Sequence, residues 1–251
     1  MIWAFKVKAM DKKPFSESYK NSTETTQAAK RGGNGLADFD AHALTQGSLV
    51  SKVALLTSVS FMFLAAGSMF GIKTEPNMFL WIASLVITFG GLFLLPLVRS
   101  PISSMVGLAI WNSVFGVIVG FGLQGYIETI GANTVAVCLG GTAGAMAVVG
   151  SIGAFSGVDF RPMQRFLMFA LFGLILVGLS QFFIHFSAGV NIVYAVGGLV
   201  VFTGFFLVDF CRLAKSTDNS WPEATNIALC IVLDYVNFAF YLMRLVRELK
   251  K

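Results

Sequence analysis

The stretch "IVLDYVNFAFYLMRL", residues 231–245, sets a carboxylate, Asp234, among Ile, Val, Leu and Phe. At the centre of a lipid-facing helix an Asp costs about 2.5–3.5 kcal/mol. Its neighbours show how the cost is avoided. At 100° per residue, Asn226, Cys230, Asp234, Asn237, Tyr241 and Arg244 follow one another at helical spacings and fall within one arc of roughly 80°. The remaining faces carry Leu, Val, Ala and Phe. A helix of this kind belongs inside a bundle, with its polar stripe turned to protein or water.

Composition sets the class of bundle. Hydrophobic residues make up 56% of the 251-residue chain and charged residues 12%, and the mean hydropathy is +0.76. A water-soluble domain carries about 25% charged residues. This chain cannot cover a water-facing surface, so lipid is its expected outside. The net charge of +5 is small and forms no nucleic-acid-binding stripe. Cys138, Cys211 and Cys230 lie in or beside apolar runs without any CxxC pattern; they read as buried thiols. No secretory signal opens the chain, because "MIWAF" is too brief and polar sequence follows it.

A helical crossing needs roughly 20 apolar residues. Seven runs qualify, at 53–72, 77–98, 102–125, 133–156, 166–186, 190–211 and 225–245. The sequence therefore predicts an all-α integral membrane protein with seven transmembrane helices, the seventh central. Residues 1–52 read as a polar cytoplasmic tail with a short helix near 40–49, residues 53–245 as one transmembrane domain, and 246–251 as a basic tail. Arg99, Arg161, Arg165, Arg212 and Lys215 occupy alternate gaps between runs, whereas the opposite gaps hold Lys73. Basic residues favour the cytoplasmic side, which puts the N-terminus there. The C-terminal Arg244, Arg247, Lys250 and Lys251 break this pattern: after seven full crossings they would lie outside. In the third and fourth runs, Gly116, Gly120, Gly140 and Gly144 read as close-packing positions between helices.

One further acidic residue stands inside an apolar run. Asp209, in "GFFLVDFCRLAKS", lies near the cytoplasmic end of the sixth run. A short connection makes the sixth and seventh helices antiparallel neighbours, so Asp209 and Asp234 come to related depths, although counting from the loop sets Asp234 a turn or so deeper. Two carboxylates in a poorly hydrated site cannot easily both ionise, and they titrate as a unit. Such a pair can share a proton, bind a cation such as calcium through oxygen, or pair with a base. Arg99 is the best candidate base, with Arg212 and Lys215 as rivals. As packing glue, the pair would do none of these.

The seventh run resembles the signature of the Bax inhibitor-type (transmembrane Bax inhibitor motif) family, whose last span reads "LYLDFINLFLxLLRL". Here "VLDYVNFAFYLMRL" matches at Asp234, Asn237 and Arg244. "LVDFCRLAKS" is similar to the family's "LYDxxxI", with Asp209 at the Asp, and "LVRSPIS" to its basic end of the second span, with Arg99 as the nearest match. The resemblance covers roughly residues 50–245. It implies a seventh helix wrapped by the other six, and a pH-sensitive calcium leak in which Asp209 and Asp234 form a proton-sensitive pair, Arg99 pairs with it, and Asn237 shares the ion pathway. The expected partners are the lipid bilayer, calcium ions, protons and other membrane proteins, with no nucleic acid and no cofactor. The expected location is a bacterial inner membrane. The competing expectation is a non-transporting membrane adaptor that regulates stress responses or other membrane proteins by contact. An enzyme is not expected: no GxSG motif precedes a suitable span for a serine protease, and the seventh run has no Lys for retinal.

Overall fold

The computed structural model describes residues 35–74, 78–95, 100–181, 183–184 and 186–251. These residues form seven α-helices and one 3-10 turn: α1 (Gly35–Lys73), α2 (Met78–Leu94), α3 (Pro101–Ile130), α4 (Ala132–Phe155), the turn Arg161–Met163, α5 (Gln164–Ser180), α6 (Ala188–Lys215) and α7 (Trp221–Leu249). The helix expected near residues 40–49 is part of α1 and runs into the first apolar run without a break. Among the described residues, six helices are long and apolar enough to cross a membrane. The exception is α2, whose 17 residues span about 25 Å against roughly 30 Å of hydrocarbon. The outward faces carry Phe79, Val137, Phe166, Phe169 and Val193, each between 72% and 80% exposed. Apolar side chains exposed on this scale need lipid around them, and helices satisfy their own backbone there. The molecule is a multi-pass integral membrane protein in contact with the bilayer.

Local chemistry fixes where the helices begin and turn. Ser100 caps α3, its Oγ accepting from the Ser103 N–H at 3.2 Å, with Pro101 at the first helical position. α7 opens on "SWPE": the Ser220 Oγ accepts from the Glu223 N–H at 3.3 Å, the first half of a capping box. A single residue joins α3 to α4. It is Gly131 at φ +86°, where an L side chain would be strained.

α7 packs against α1, α3, α4 and α6, while α2 rests on α3 and α5 on α6. The tightest seam joins α1 to α3. A Cβ on Gly67 would fall 2.1 Å from the Ser113 carbonyl oxygen, and one on Gly116 2.4 Å from that of Leu64; Gly71 and Gly120 repeat the contact one turn on. Backbones approach this closely only where side chains are absent. Gly116 and Gly120 are thus the packing positions their spacing suggests. Gly140 and Gly144 are not, since nothing among the described residues lies within 4 Å of a Cβ at either. Small-residue spacing marks a helix that can be approached closely, and α4 turns that face away from its neighbours.

The helices alternate in direction, which gives the bundle two ends. At the proximal end, the Lys52 Nζ of α1 donates to the Asn219 carbonyl at 2.6 Å, and Lys215 donates to Gly157 O at 3.1 Å. At the distal end, Lys250 donates to Ile130 O at 3.3 Å and to the Thr134 hydroxyl at 2.9 Å. The 29 residues of α7 cover about 43 Å and run from one end to the other. The seventh run therefore passes completely through the bundle, and its basic tail lies opposite the α6–α7 connection.

Candidate functional site

Asp209 and Asp234 are both buried, at 2% and 0% exposure. Two observations set their relation. α6 and α7 are antiparallel, and the rings of Phe206 and Phe238 meet with centroids 5.4 Å apart. Three residues on from Phe206 is Asp209; four residues back from Phe238 is Asp234. Both steps lead one turn toward the proximal end on the same helix faces, so each aspartate lies about one turn beyond that contact along its own helix. Counting from the loop had set Asp234 deeper. The Phe206–Phe238 contact shows that such counting overstates depth differences between these helices, in part because a helical side chain leans toward its own helix N-terminus. In antiparallel neighbours the two leans converge in depth.

The rivals to Arg99 are already engaged. Arg212, one turn from Asp209, makes a two-pronged contact with Glu223: Nε to Oε1 at 2.9 Å and Nη2 to Oε2 at 2.6 Å, with both side chains largely buried. Arg212 remains within electrostatic reach of Asp209 and Cys230. The ammonium of Lys215 binds the Gly157 carbonyl instead. Arg99 lies outside the described residues.

The polar stripe of α7 does not face one neighbour. Tyr241 packs its ring on Gly198 of α6, where a Cβ would come within 2.2 Å, and its hydroxyl donates to the Tyr194 hydroxyl at 3.0 Å, which donates to Leu174 O at 3.1 Å. Arg244 donates to Gln181 Oε1 at 2.8 Å and lies over the Tyr194 ring. Asn237, half-buried, turns away from this row. Its Nδ2 donates to Leu233 O at 2.7 Å, and it lines a lateral cleft between α7 and α3.

Several polar contacts at the proximal end escaped the sequence reading. Glu223 is the main one, and its signal was present: the "SWPE" capping box after a short polar connection, with Arg212 one helix end away. Cys211 is another. It is fully buried, accepts from the Phe160 N–H at 3.4 Å and reaches Val158 O at 3.6 Å, so it ties α6 to the α4–α5 connection. In that connection Arg161 hydrogen-bonds Asp159 twice, at 2.9 and 2.8 Å, which holds the Asp159 carboxyl well below the usual carboxylate range. Cys138, Cys211 and Cys230 are all buried free thiols, as expected. Among the described residues, no group of three or more His, Cys, Asp or Glu side chains is placed to hold a metal. A calcium site here would need hydroxyl, amide or carbonyl oxygens beside the two carboxylates.

The model of the family described as "Inhibitor of apoptosis-promoting Bax1" matches residues 46–251. The chain belongs to this Bax inhibitor-like family. The match takes in every helix that carries a site residue and ends with the distal basic tail. The chain is also similar to an uncharacterized protein of Borreliella burgdorferi, 25% identical over 176 residues, which cover 67% of this chain and 75% of that protein. The matched region includes both α6 and α7, the helices that carry the buried Asp209 and Asp234.

Proposed function

We propose that the protein is a pH-sensitive calcium leak, with Asp209 and Asp234 as a proton-sharing pair that sets the state of the pathway. The observation that supports this reading is the burial of two carboxylates on the antiparallel α6 and α7, each about one turn beyond the Phe206–Phe238 contact along its own helix. Burial of two acids in a poorly hydrated interface favours a shared proton; deprotonation favours recruitment of a positive charge. A guanidinium or a calcium ion can supply it, and those alternatives define two states whose balance shifts with pH. Arg99 is the proposed guanidinium, since Arg212 and Lys215 are bound elsewhere.

In this reading all seven helices cross the membrane, α2 with a short span, and α7 is the axis around which the others stand. Its contacts with four helices support that place. The proximal end, with Lys52, Arg161, Arg165, Arg212 and Lys215, faces the cytoplasm, and a bacterial inner membrane suits the short connections. Asn237 belongs to the wall of the bundle, so the ion pathway runs along the α6 side of α7.

The test is calcium entry into dye-loaded liposomes holding the purified protein, at pH 6 and pH 8. The wild type is expected to leak in a pH-dependent way, and Asp209→Asn and Asp234→Asn to lose that dependence. Flux unchanged by both substitutions would overturn the reading. Absence of flux from folded protein would leave the adaptor as the better account.

A further inference from the structure

We infer that the cleft between α3 and α7 is a binding site for one anionic phospholipid, whose acyl chain lies in the cleft and whose phosphate rests on Arg247. The cleft holds about 460 Å³ and is lined by Phe115, Ile118 and Gly122 of α3 and by Val236, Asn237 and Phe240 of α7. That volume is within the usual range of small-molecule sites, roughly 300–1,000 Å³. Gly122 shapes it: a Cβ there would strike the Phe240 ring at 2.6 Å, so the missing side chain lets the ring lie flat across α3. Ile118, Gly122, Asn237 and Phe240 are all half-buried, which leaves the cleft open sideways to the membrane.

Beyond the cleft along α7, the proposed mouth is charged. Asn237, Phe240, Arg244, Arg247 and Lys251 follow one another along α7 at steps of three, four, three and four residues, which keeps them on one stripe. Arg247 stands about 10 Å beyond Phe240 along the axis, over the ring of Tyr126, itself packed edge-on against Phe240. Three basic residues on this stripe meet one acid, Glu248, which Arg247 and Lys251 share at 3.2 and 2.9 Å. Arg244 is held by Gln181 and Lys250 by the end of α3. Arg247 is the group with capacity left: its side chain is 33% exposed, and among the described residues its guanidinium hydrogen-bonds through Nη2 to Glu248 alone. An apolar slot at membrane depth with a partly exposed guanidinium about two helical turns beyond Phe240, and net positive charge around it, is complementary to an acyl chain carrying a phosphate. The site also accounts for the basic C-terminal tail, which the distribution of charge between the spans leaves unexplained.

The test is native mass spectrometry of the full chain in detergent, titrated with palmitoyl-oleoyl phosphatidylglycerol or the matching phosphatidylcholine. The wild type is expected to bind the first phosphatidylglycerol roughly tenfold more tightly than phosphatidylcholine. Arg247→Gln removes the charge and is expected to abolish that preference. Ile118→Trp fills the cleft and is expected to weaken both lipids. Lys73→Gln, at the same end but off the stripe, is expected to bind as wild type does. Equal binding of the two lipids by wild type, phosphatidylglycerol binding unchanged in both Arg247→Gln and Ile118→Trp, or an equal loss in Lys73→Gln would overturn the inference.

Discussion

Replacing Gly67 by Ala tests the packing of the bundle with one methyl group. The new Cβ would lie 2.1 Å from the backbone oxygen of Ser113, whereas ordinary contact begins near 3.4 Å. The obstacle is backbone, so it cannot swing aside, and α1 must part locally from α3 by about 1 Å. A gap of that size forfeits a quarter to a half of each dispersion contact it opens, at about 0.1–0.2 kcal/mol per atom pair. Over the few dozen pairs around the crossing, this comes to about 1–3 kcal/mol, the usual cost of overpacking. Helix propensity returns up to about 1 kcal/mol for Gly→Ala. Gly140→Ala, with open space around it, isolates that return. Thermal unfolding in detergent is expected to show Gly67→Ala melting several degrees below wild type and Gly140→Ala at or above it. Gly67→Ala combined with Gly116→Ala should cost less than the sum of the two, because one separation relieves both contacts. If Gly67→Ala and Gly140→Ala melted alike, or if the double variant were additive, the reasoning from backbone contact would be wrong.

Other interactions predict their own signatures. Glu223→Gln should destabilise the fold by about 2–4 kcal/mol, since it leaves the largely buried Arg212 guanidinium without its counter-charge; adding Arg212→Gln should recover part of the loss in the same melting assay. Tyr194→Phe removes the hydroxyl that links Tyr241 to Leu174 O, and about 1 kcal/mol of stability should go with it. Cys211, buried beneath the α4–α5 connection, should resist maleimide in the folded protein and react after denaturation. Asp159 has its carboxyl held low by Arg161. Its stabilising effect is therefore present above the ordinary carboxylate value, near 3.9, and is lost as pH falls through the lower folded value. Because the pair is exposed, the melting gap between wild type and Asp159→Asn should stay below about 1 kcal/mol and constant from pH 8 to 5, shrinking only in stronger acid.

What could be read from the sequence divides along physical lines. Periodicity and apolar length are local, and they located the seven helices, including the polar stripe of α7, with ends within six residues except at the start of α1, which begins at Gly35 and not at 53. Whether α2 is long enough to cross was harder, because its apolar run extends in sequence to residue 98 and the described helix to Leu94. Depth is not local. Counting from the α6–α7 loop put Asp234 below Asp209, and it takes no account of the lean of side chains on antiparallel helices, which brings Phe206 and Phe238 into contact. Partners are less local still. A four-residue spacing of glycines appears in both α3 and α4, yet only in α3 does a neighbouring backbone lie against it. Nothing within α4 records which way it is turned.

Asn237 shows how a residue can match a pattern and still differ in role from its neighbours on the stripe. It lies on the same 80° arc as Asp234, and the arc alone suggests one polar lining shared by all six residues. The arc is wide enough to meet two surroundings. Asp234 and Tyr241 fall on the side toward α6, whereas Asn237 falls on the side where α3 stands, and there the amide bonds back to its own helix at Leu233. An amide that satisfies its donor in this way is tolerated beside lipid, whereas a carboxylate has no donor of its own to spend. The chemistry of the two side chains thus allows one stripe to serve both an interior and a membrane-facing cleft. In the same way Arg244 and Arg247, three residues apart, divide between a protein contact with Gln181 and the mouth of that cleft.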